Sequence, residues 1–130
     1  MKPEAAQFPD KARQALREAC AVAGIELAEA AGRAAYVAAF HAVQSLIFER
    51  TGKVPKAHRG VHALFSRLVK DMLELGSDLS RFLSQAYDLK AVADYEIGPA
   101  ATVPLAEAIS ATAAAETFVD RIVELLEKTQ

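Results

Sequence analysis

Apolar positions recur along most of this chain in the three- and four-residue steps of an α-helix, and the clusters of β-branched residues that mark strands are missing. The clearest stretch is Val61, Leu64, Phe65, Leu68, Val69 and Met72, at i, i+3, i+4, i+7, i+8 and i+11, one apolar stripe followed by Gly76. Upstream, a first helix is predicted to start after Pro9 with Asp10 as its cap and to run to about Val22, with Gly24 as a break. A second, long helix covers Glu26 to Arg50 and stops at Gly52, where a left-handed cap is usual. Gly32 inside it costs ~1 kcal/mol relative to alanine, so it marks a close helix crossing. A fourth helix begins at Ser77 or Asp78, buries Leu79, Phe82, Leu83, Ala86 and Ala93, and ends at the breaker Ile97-Gly98-Pro99. Thr102 and Pro104 open a fifth, carried by Leu105, Ala108, Ile109, Ala115, Val119, Ile122, Val123 and Leu126.

The predicted fold is therefore all-α, an up-and-down antiparallel bundle of about five helices, since short connections make consecutive helices antiparallel. Alanine, the best helix former, occurs 28 times and reinforces this reading. The 130 residues suffice for a single domain with its own core, at about residues 10–127, and no repeat or linker divides them.

Composition excludes several classes of protein. With 52% hydrophobic and 25% charged residues the chain is a soluble globule rather than a disordered tail. The longest apolar run, Ala34 to Phe40, has seven residues, far below the roughly 20 of a membrane span. No apolar segment follows Lys2 as in a secretory leader, which leads to a cytoplasmic location as the expectation. Cys20 is the only cysteine, so an internal disulfide and a multi-cysteine zinc site are ruled out, and it reads as a small buried side chain of the first helix.

Charge adds a feature that core packing does not explain. The chain is net −2, yet the ten residues from Arg50 to Arg59 include Arg50, Lys53, Lys56 and Arg59 and no acid. A local positive patch on an acidic protein suits a phosphate-bearing ligand or an acidic partner. In the simple bundle topology the end of helix two, the start of helix three and the end of helix four meet. Arg50, Lys53, Lys56, His58, Arg59, Lys90, Asp94 and Tyr95 would then share one end of the molecule, with His41 lining a groove below. Asp94 lies near a helix C-terminus, where the macrodipole disfavours it, so it needs an Arg, His or Lys partner. Tyr36, one turn before Phe40, reads as core. His58 and His62, four residues apart, lack the intervening glutamate of the metalloprotease pattern, and neither a metal nor a cofactor is assigned.

Three blocks, Ala35-Tyr36-Val37-Ala38-Ala39-Phe40-His41-Ala42, Lys56-Ala57-His58-Arg59-Gly60-Val61 and Lys90-Ala91-Val92-Ala93-Asp94-Tyr95, resemble in order the signature blocks of a prokaryotic branch of the HEPN proteins (higher eukaryotes and prokaryotes nucleotide-binding). The resemblance spans about residues 27 to 127. It implies a helical homodimer that handles RNA or nucleotides, in many members a metal-independent ribonuclease toxin paired with a minimal nucleotidyltransferase as antitoxin. The family's catalytic signature is Arg, four to six residues, then His. Here seven residues separate Arg33 from His41 and Arg50 from His58, and two separate Arg59 from His62. The arginine of the third block is Lys90, and the second tyrosine of the first is Val37.

Metal-independent RNA cleavage needs a base, an acid and cations, which His with Arg or Lys supply near neutral pH. On that reading His41, His58 and Arg59 are the candidate catalytic residues, and Arg50, Lys53, Lys56, Lys90, Asp94, Tyr95 and Tyr36 the candidate binding residues. The alternatives are a noncatalytic nucleotide or RNA binder, and a dimeric interaction module using the alanine faces of helices two and five.

Overall fold

The computed structural model describes residues 3–95 and 102–128, and among these it contains five α-helices and no strand. They are α1 (Pro3–Gly24), α2 (Ala28–Thr51), α3 (His58–Val69), α4 (Leu73–Tyr95) and α5 (Leu105–Lys128). The bundle is organised around α2, which packs on each of the other four helices. Its alanines explain how: Ala31, Ala35, Ala38, Ala39 and Ala42 are buried at successive angles around the axis, and such short side chains let several helices approach one backbone. Gly32 has the same use, since a Cβ there would sit 3.4 Å from the Leu89 side chain of α4.

The main core joins Leu46, Ile47 and Val43 of α2 to Val61, Phe65 and Val69 of α3, Leu79 and Leu83 of α4, and Phe118, Val119, Ile122 and Leu126 of α5. Phe65 stands edge-on to Phe118 with centroids 5.9 Å apart. A smaller cluster at the other end gathers Ala28, Ala31, Val103 and Ala108 with Leu89 and Val92 against it. Burying apolar area at roughly 25 cal/mol per Å² drives this assembly.

Helix ends follow local chemistry, with two helix starts shifted from the sequence reading. Gly52 caps α2 in the left-handed conformation (φ 76°), its N–H donating to the Phe48 carbonyl at 2.8 Å. α1 begins at Pro3 rather than after Pro9, because Phe8 packs on Phe48 of α2 (centroids 6.2 Å) and tertiary contact overrides the proline. α4 begins at Leu73 rather than Ser77, and Gly76 lies inside it, where any Cβ would collide with the Val69 carbonyl at the end of α3. Two burial expectations also fail: Cys20 is exposed, and Ile109 is half exposed. Both occupy outward registers of α1 and α5. The breaker Ile97-Gly98-Pro99 lies outside the described residues.

The connection 52–57 decides the site. It folds back along α2, so that α3 starts beside Tyr36 rather than beyond the end of α2. α3 and α4 form an antiparallel hairpin, with Ser66 Oγ donating to Ser80 Oγ at 3.3 Å and His62 facing Tyr87. α4 in turn runs antiparallel to α2, which brings Asp94 to Arg33 near the start of α2. The shared end inferred from simple up-down connectivity is corrected by this contact: Arg50 lies 17 residues beyond Arg33, about 25 Å along α2 at ~1.5 Å per residue.

Candidate functional site

Tyr36 is the one large polar side chain wholly buried on α2 (0% exposed), and a phenol sealed in a core needs hydrogen-bond partners. It has two. Its hydroxyl lies 2.7 Å from His58 Nδ1 and 2.8 Å from His62 Nε2. The histidines are four residues apart, one turn of α3, so both rings reach the same atom. α3 is amphipathic in a specific sense: Val61, Phe65 and Val69 enter the core, while His58 and His62 line the edge that faces α2 and α4.

Aromatic rings hold the two imidazoles in place. Phe40 stacks on His58 with centroids 4.4 Å apart, and Tyr87 of α4 meets His62 edge-on at 5.2 Å. Tyr87 also stands edge-on to Tyr36 at 5.2 Å. On α2 the contributing residues are Arg33, Tyr36 and Phe40; on α4 they are Tyr87, Lys90 and Asp94. Each set follows the three- and four-residue spacing of a single helix face.

Beside the rings lies an ionic triad. Asp94 accepts from Arg33 Nε at 2.5 Å and from Lys90 Nζ at 2.5 Å, and Arg33 also donates to the Ala93 carbonyl at 3.0 Å. The hydrogen bond from Lys90, followed by that from Arg33, holds the Asp94 carboxyl below the usual carboxylate range. The partner that Asp94 requires at its helix end is thus supplied twice.

Both imidazoles titrate below the ordinary histidine value. For His58 the larger cause is desolvation and the smaller is the positive charge of Lys90; for His62 desolvation leads, followed by His58, with Asp88 acting in the opposite direction. Burial, and secondarily Tyr87, pushes the Tyr36 phenol far above its ordinary value. At neutral pH the cluster is therefore two neutral imidazoles and a neutral phenol.

A cleft of about 340 Å³ opens over this cluster, lined by His58, Arg59, His62 and Tyr87. A larger cleft of about 580 Å³ runs between α4 and α5, lined by Phe82, Ala86, Leu89, Glu107 and Ser110 among others. Size alone would favour the larger. It holds one ionisable side chain, Glu107, and no acid–base pair, whereas the smaller cleft is lined by two histidines and an arginine.

The predicted residues divide accordingly. His58, Arg59, Tyr36, Lys90 and Asp94 come together at the α2–α3–α4 junction. His41 does not join them. It sits about 140° around α2 from Tyr36 at ~100° per residue, and its Nδ1 pairs with Gln44 Oε1 at 2.9 Å. Arg50, Lys53 and Lys56 are exposed at the end of α2 and along the returning connection. Tyr95 closes α4, and its side chain lies outside the described part of the structure. Among the described residues no group of three His, Cys, Asp or Glu side chains is placed to hold a metal ion, and no helix is long and apolar enough to cross a membrane.

Sequence reasoning missed three members of the site: His62, Tyr87 and Arg33. The i, i+4 pairing of His58 and His62 was visible, but their common partner is 22 residues upstream of His58 on another helix, a contact that no local spacing encodes. Compared with known families, residues 5–127 of the chain match a family model described as HEPN domain. No curated protein matches the chain.

Proposed function

From the premise that this chain belongs to the HEPN family, we propose that it binds RNA at the α2–α3–α4 junction and cleaves it without a metal ion, His58 and His62 serving as acid and base, Arg59 as the phosphate-facing cation and Lys90, paired to Asp94, adding positive charge beside His58. The observation that supports this most strongly is the pair of neutral imidazoles held on one hydroxyl beside a cleft that also contains an arginine. Cleavage at phosphorus needs proton transfer to and from oxygens and positive charge near the equatorial oxygens, and these residue types supply both. Lys53, Lys56 and Arg59 follow one another along the chain toward the cleft, all exposed, and extend positive charge along the approach of a polyanion. His41, on another face, has no role in this reading. The family resemblance extends it to a toxin-like component acting in the cytoplasm, a homodimer with a minimal nucleotidyltransferase as its antitoxin.

Incubation of the purified protein with tRNA and with single-stranded RNA, in the presence of EDTA, tests the proposal. His58→Ala and His62→Ala are expected to reduce cleavage by 10²-fold or more, while His41→Ala leaves it within twofold. Equal cutting by all three variants would overturn the assignment.

One observation favours a second reading. Arg33, the arginine preceding His41, is engaged by Asp94, and its spacing to His41 departs from the family's Arg–His signature. A binder that has lost cleavage fits that departure. Salt-dependent RNA binding with no product under any condition would select it over the ribonuclease.

A further inference from the structure

A phenol carries one proton, and two ring nitrogens contact the hydroxyl of Tyr36. If both imidazoles are neutral, the hydroxyl donates to one inner nitrogen and accepts from the N–H of the other. The alternative, in which both rings donate to the oxygen, leaves the phenol proton without an acceptor in a fully buried position, which is costly. Two arrangements remain. In the first, Tyr36 donates to His62 Nε2 and accepts from His58 Nδ1, so that the outer His58 Nε2 is bare and the outer His62 Nδ1 carries a proton. In the second, Tyr36 donates to His58 Nδ1 and accepts from His62 Nε2, so that the outer His58 Nε2 carries the proton and His62 Nδ1 is bare. The inner nitrogens are Nδ1 of one ring and Nε2 of the other, so in either arrangement the two rings hold the same tautomer.

We propose that Tyr36 makes His58 and His62 a reciprocal acid–base pair, one outer nitrogen always the acceptor and the other always the donor, and that each phosphoryl-transfer step exchanges their roles through the phenol. This rests on the ribonuclease reading above and specifies its substrates: an RNA phosphodiester first, and its 2′,3′-cyclic phosphate second.

The proton accounting closes at each step. In the first, the bare outer nitrogen takes the 2′-hydroxyl proton, the 2′-oxygen forms its bond to phosphorus, the bond from phosphorus to the 5′-oxygen breaks, and the protonated outer nitrogen gives its proton to that leaving oxygen. The ring that gained a proton passes its inner proton to the Tyr36 oxygen, and the Tyr36 proton moves to the inner nitrogen of the other ring. Both rings end neutral in the opposite tautomer. Hydrolysis of the cyclic phosphate needs the reverse assignment: the newly bare nitrogen takes a proton from water, the water oxygen bonds to phosphorus, the bond from phosphorus to the 2′-oxygen breaks, and the newly protonated nitrogen protonates that oxygen. The pair is then in its starting arrangement. No solvent proton is consumed, and neither imidazole has to be a cation at rest. The direction of both histidine titrations, toward the neutral form, fits this requirement.

Charged and titratable groups around the pair come from all three helices: Tyr36 with Arg33 from α2, Arg59 from α3, and Tyr87, Asp88, Lys90 and Asp94 from α4. Tyr36 does not line the cleft; it is a positioning and relay residue.

Two measurements test the proposal. Nitrogen-15 NMR of histidine-labelled protein at pH 8 reads the tautomers without any substrate. The Nδ1–H fraction is expected to be equal in His58 and His62, and Tyr36→Phe uncouples the two fractions; unequal fractions in the unaltered protein overturn the proposal. The second measurement is the pH–rate profile for a dinucleotide and for a 2′,3′-cyclic nucleotide. The unaltered protein is expected to show a plateau above about pH 7 for both substrates, falling only on the acid side, because the working form is doubly neutral. Tyr36→Phe is expected to lose about 10²-fold and to give a bell-shaped profile, since its rings must then work as one neutral and one cationic group. If both proteins give the same bell, the relay is wrong while the ribonuclease reading stands. If the unaltered protein converts neither substrate, the ribonuclease reading fails and the relay has no reaction to serve.

Discussion

Replacing Tyr36 by phenylalanine removes one oxygen from a fully buried ring and nothing else, so its cost measures what the hydroxyl contributes to the fold. Two hydrogen bonds are lost, at 2.7 and 2.8 Å, each with a net value of about 1 kcal/mol. His58 is exposed and regains water at its inner nitrogen, whereas His62 is half-buried and regains it less well. The expected loss at pH 8 is therefore about 2 kcal/mol, a fall in Tm of roughly 6–10 °C for a chain of this length. The loss should also depend on pH. The folded-state values of both histidines lie below the unfolded value, so the stability they contribute is complete above about pH 6.5 and disappears as pH falls through the folded values. Protonating the inner nitrogen that accepts from Tyr36 removes one of the two bonds, and the gap between the proteins should narrow to about 1 kcal/mol at an acid pH below both folded-state values. Urea denaturation followed by circular dichroism at the two pH values provides the assay, and a double-mutant cycle with His62→Ala isolates the pairwise coupling. A gap below about 0.5 kcal/mol at pH 8, or one indifferent to pH, would refute the claim that the hydroxyl satisfies both rings.

Other expectations follow from particular contacts. Gly32→Ala should stabilise the fold by about 0.5 kcal/mol, because the helix gains up to ~1 kcal/mol and the new Cβ meets Leu89 at ordinary contact distance; a destabilised variant in urea melts would show that the α2–α4 crossing is tighter than 3.4 Å implies. Phe65→Ala should cost about 3–5 kcal/mol by opening a cavity against Phe118, read as a lower denaturation midpoint with an unchanged slope. Asp94, held low by two cations, contributes stability that is complete above about pH 4 and lost as pH falls below it. Asp94→Asn should flatten the acid limb of the stability curve below about pH 4 while lowering neutral stability by less than about 2 kcal/mol, since these ion pairs are partly exposed. Arg59→Ala should weaken RNA binding uniformly across sequences and reduce the slope of log K against log salt by about one; an unchanged slope would remove Arg59 from the phosphate contacts.

Much of the fold was legible in the chain because helical periodicity and terminators are local. Gly52 ends α2 through its own left-handed backbone, and the stripe from Val61 to Val69 forms the buried face of α3 whatever its neighbours. Long-range placement was not legible. The start of α1 depends on Phe8 meeting Phe48, and the early start of α4 depends on Gly76 passing the Val69 carbonyl. The site shows the same division. The need of Asp94 for a cation was readable from its helix-end position, and Lys90, four residues back, was within local reach. Arg33 was not, since it lies 61 residues away. His41 was the most conspicuous polar residue in an apolar stretch, yet the register of α2 turns it toward Gln44, while Tyr36, read as core, proves to be both core and centre of the cluster.

The returning connection 52–57 joins two parts of very different robustness. Tyr36 belongs to a helix enclosed by all four others, so its backbone amides can open only when the whole bundle does. His58 and His62 occupy the first turns of a 12-residue helix whose N-terminus has no side-chain cap and faces solvent. Its first position can fray while Val61 stays in the core, which would part His58 from the phenol without denaturing the protein. Hydrogen exchange should therefore rank residues 58–60 among the fastest helical amides and residues 35–47 among the slowest. Any molecule that clamps the fraying turn, or pries it up, would set how closely His58 is held to the phenol while leaving the rest of the bundle untouched.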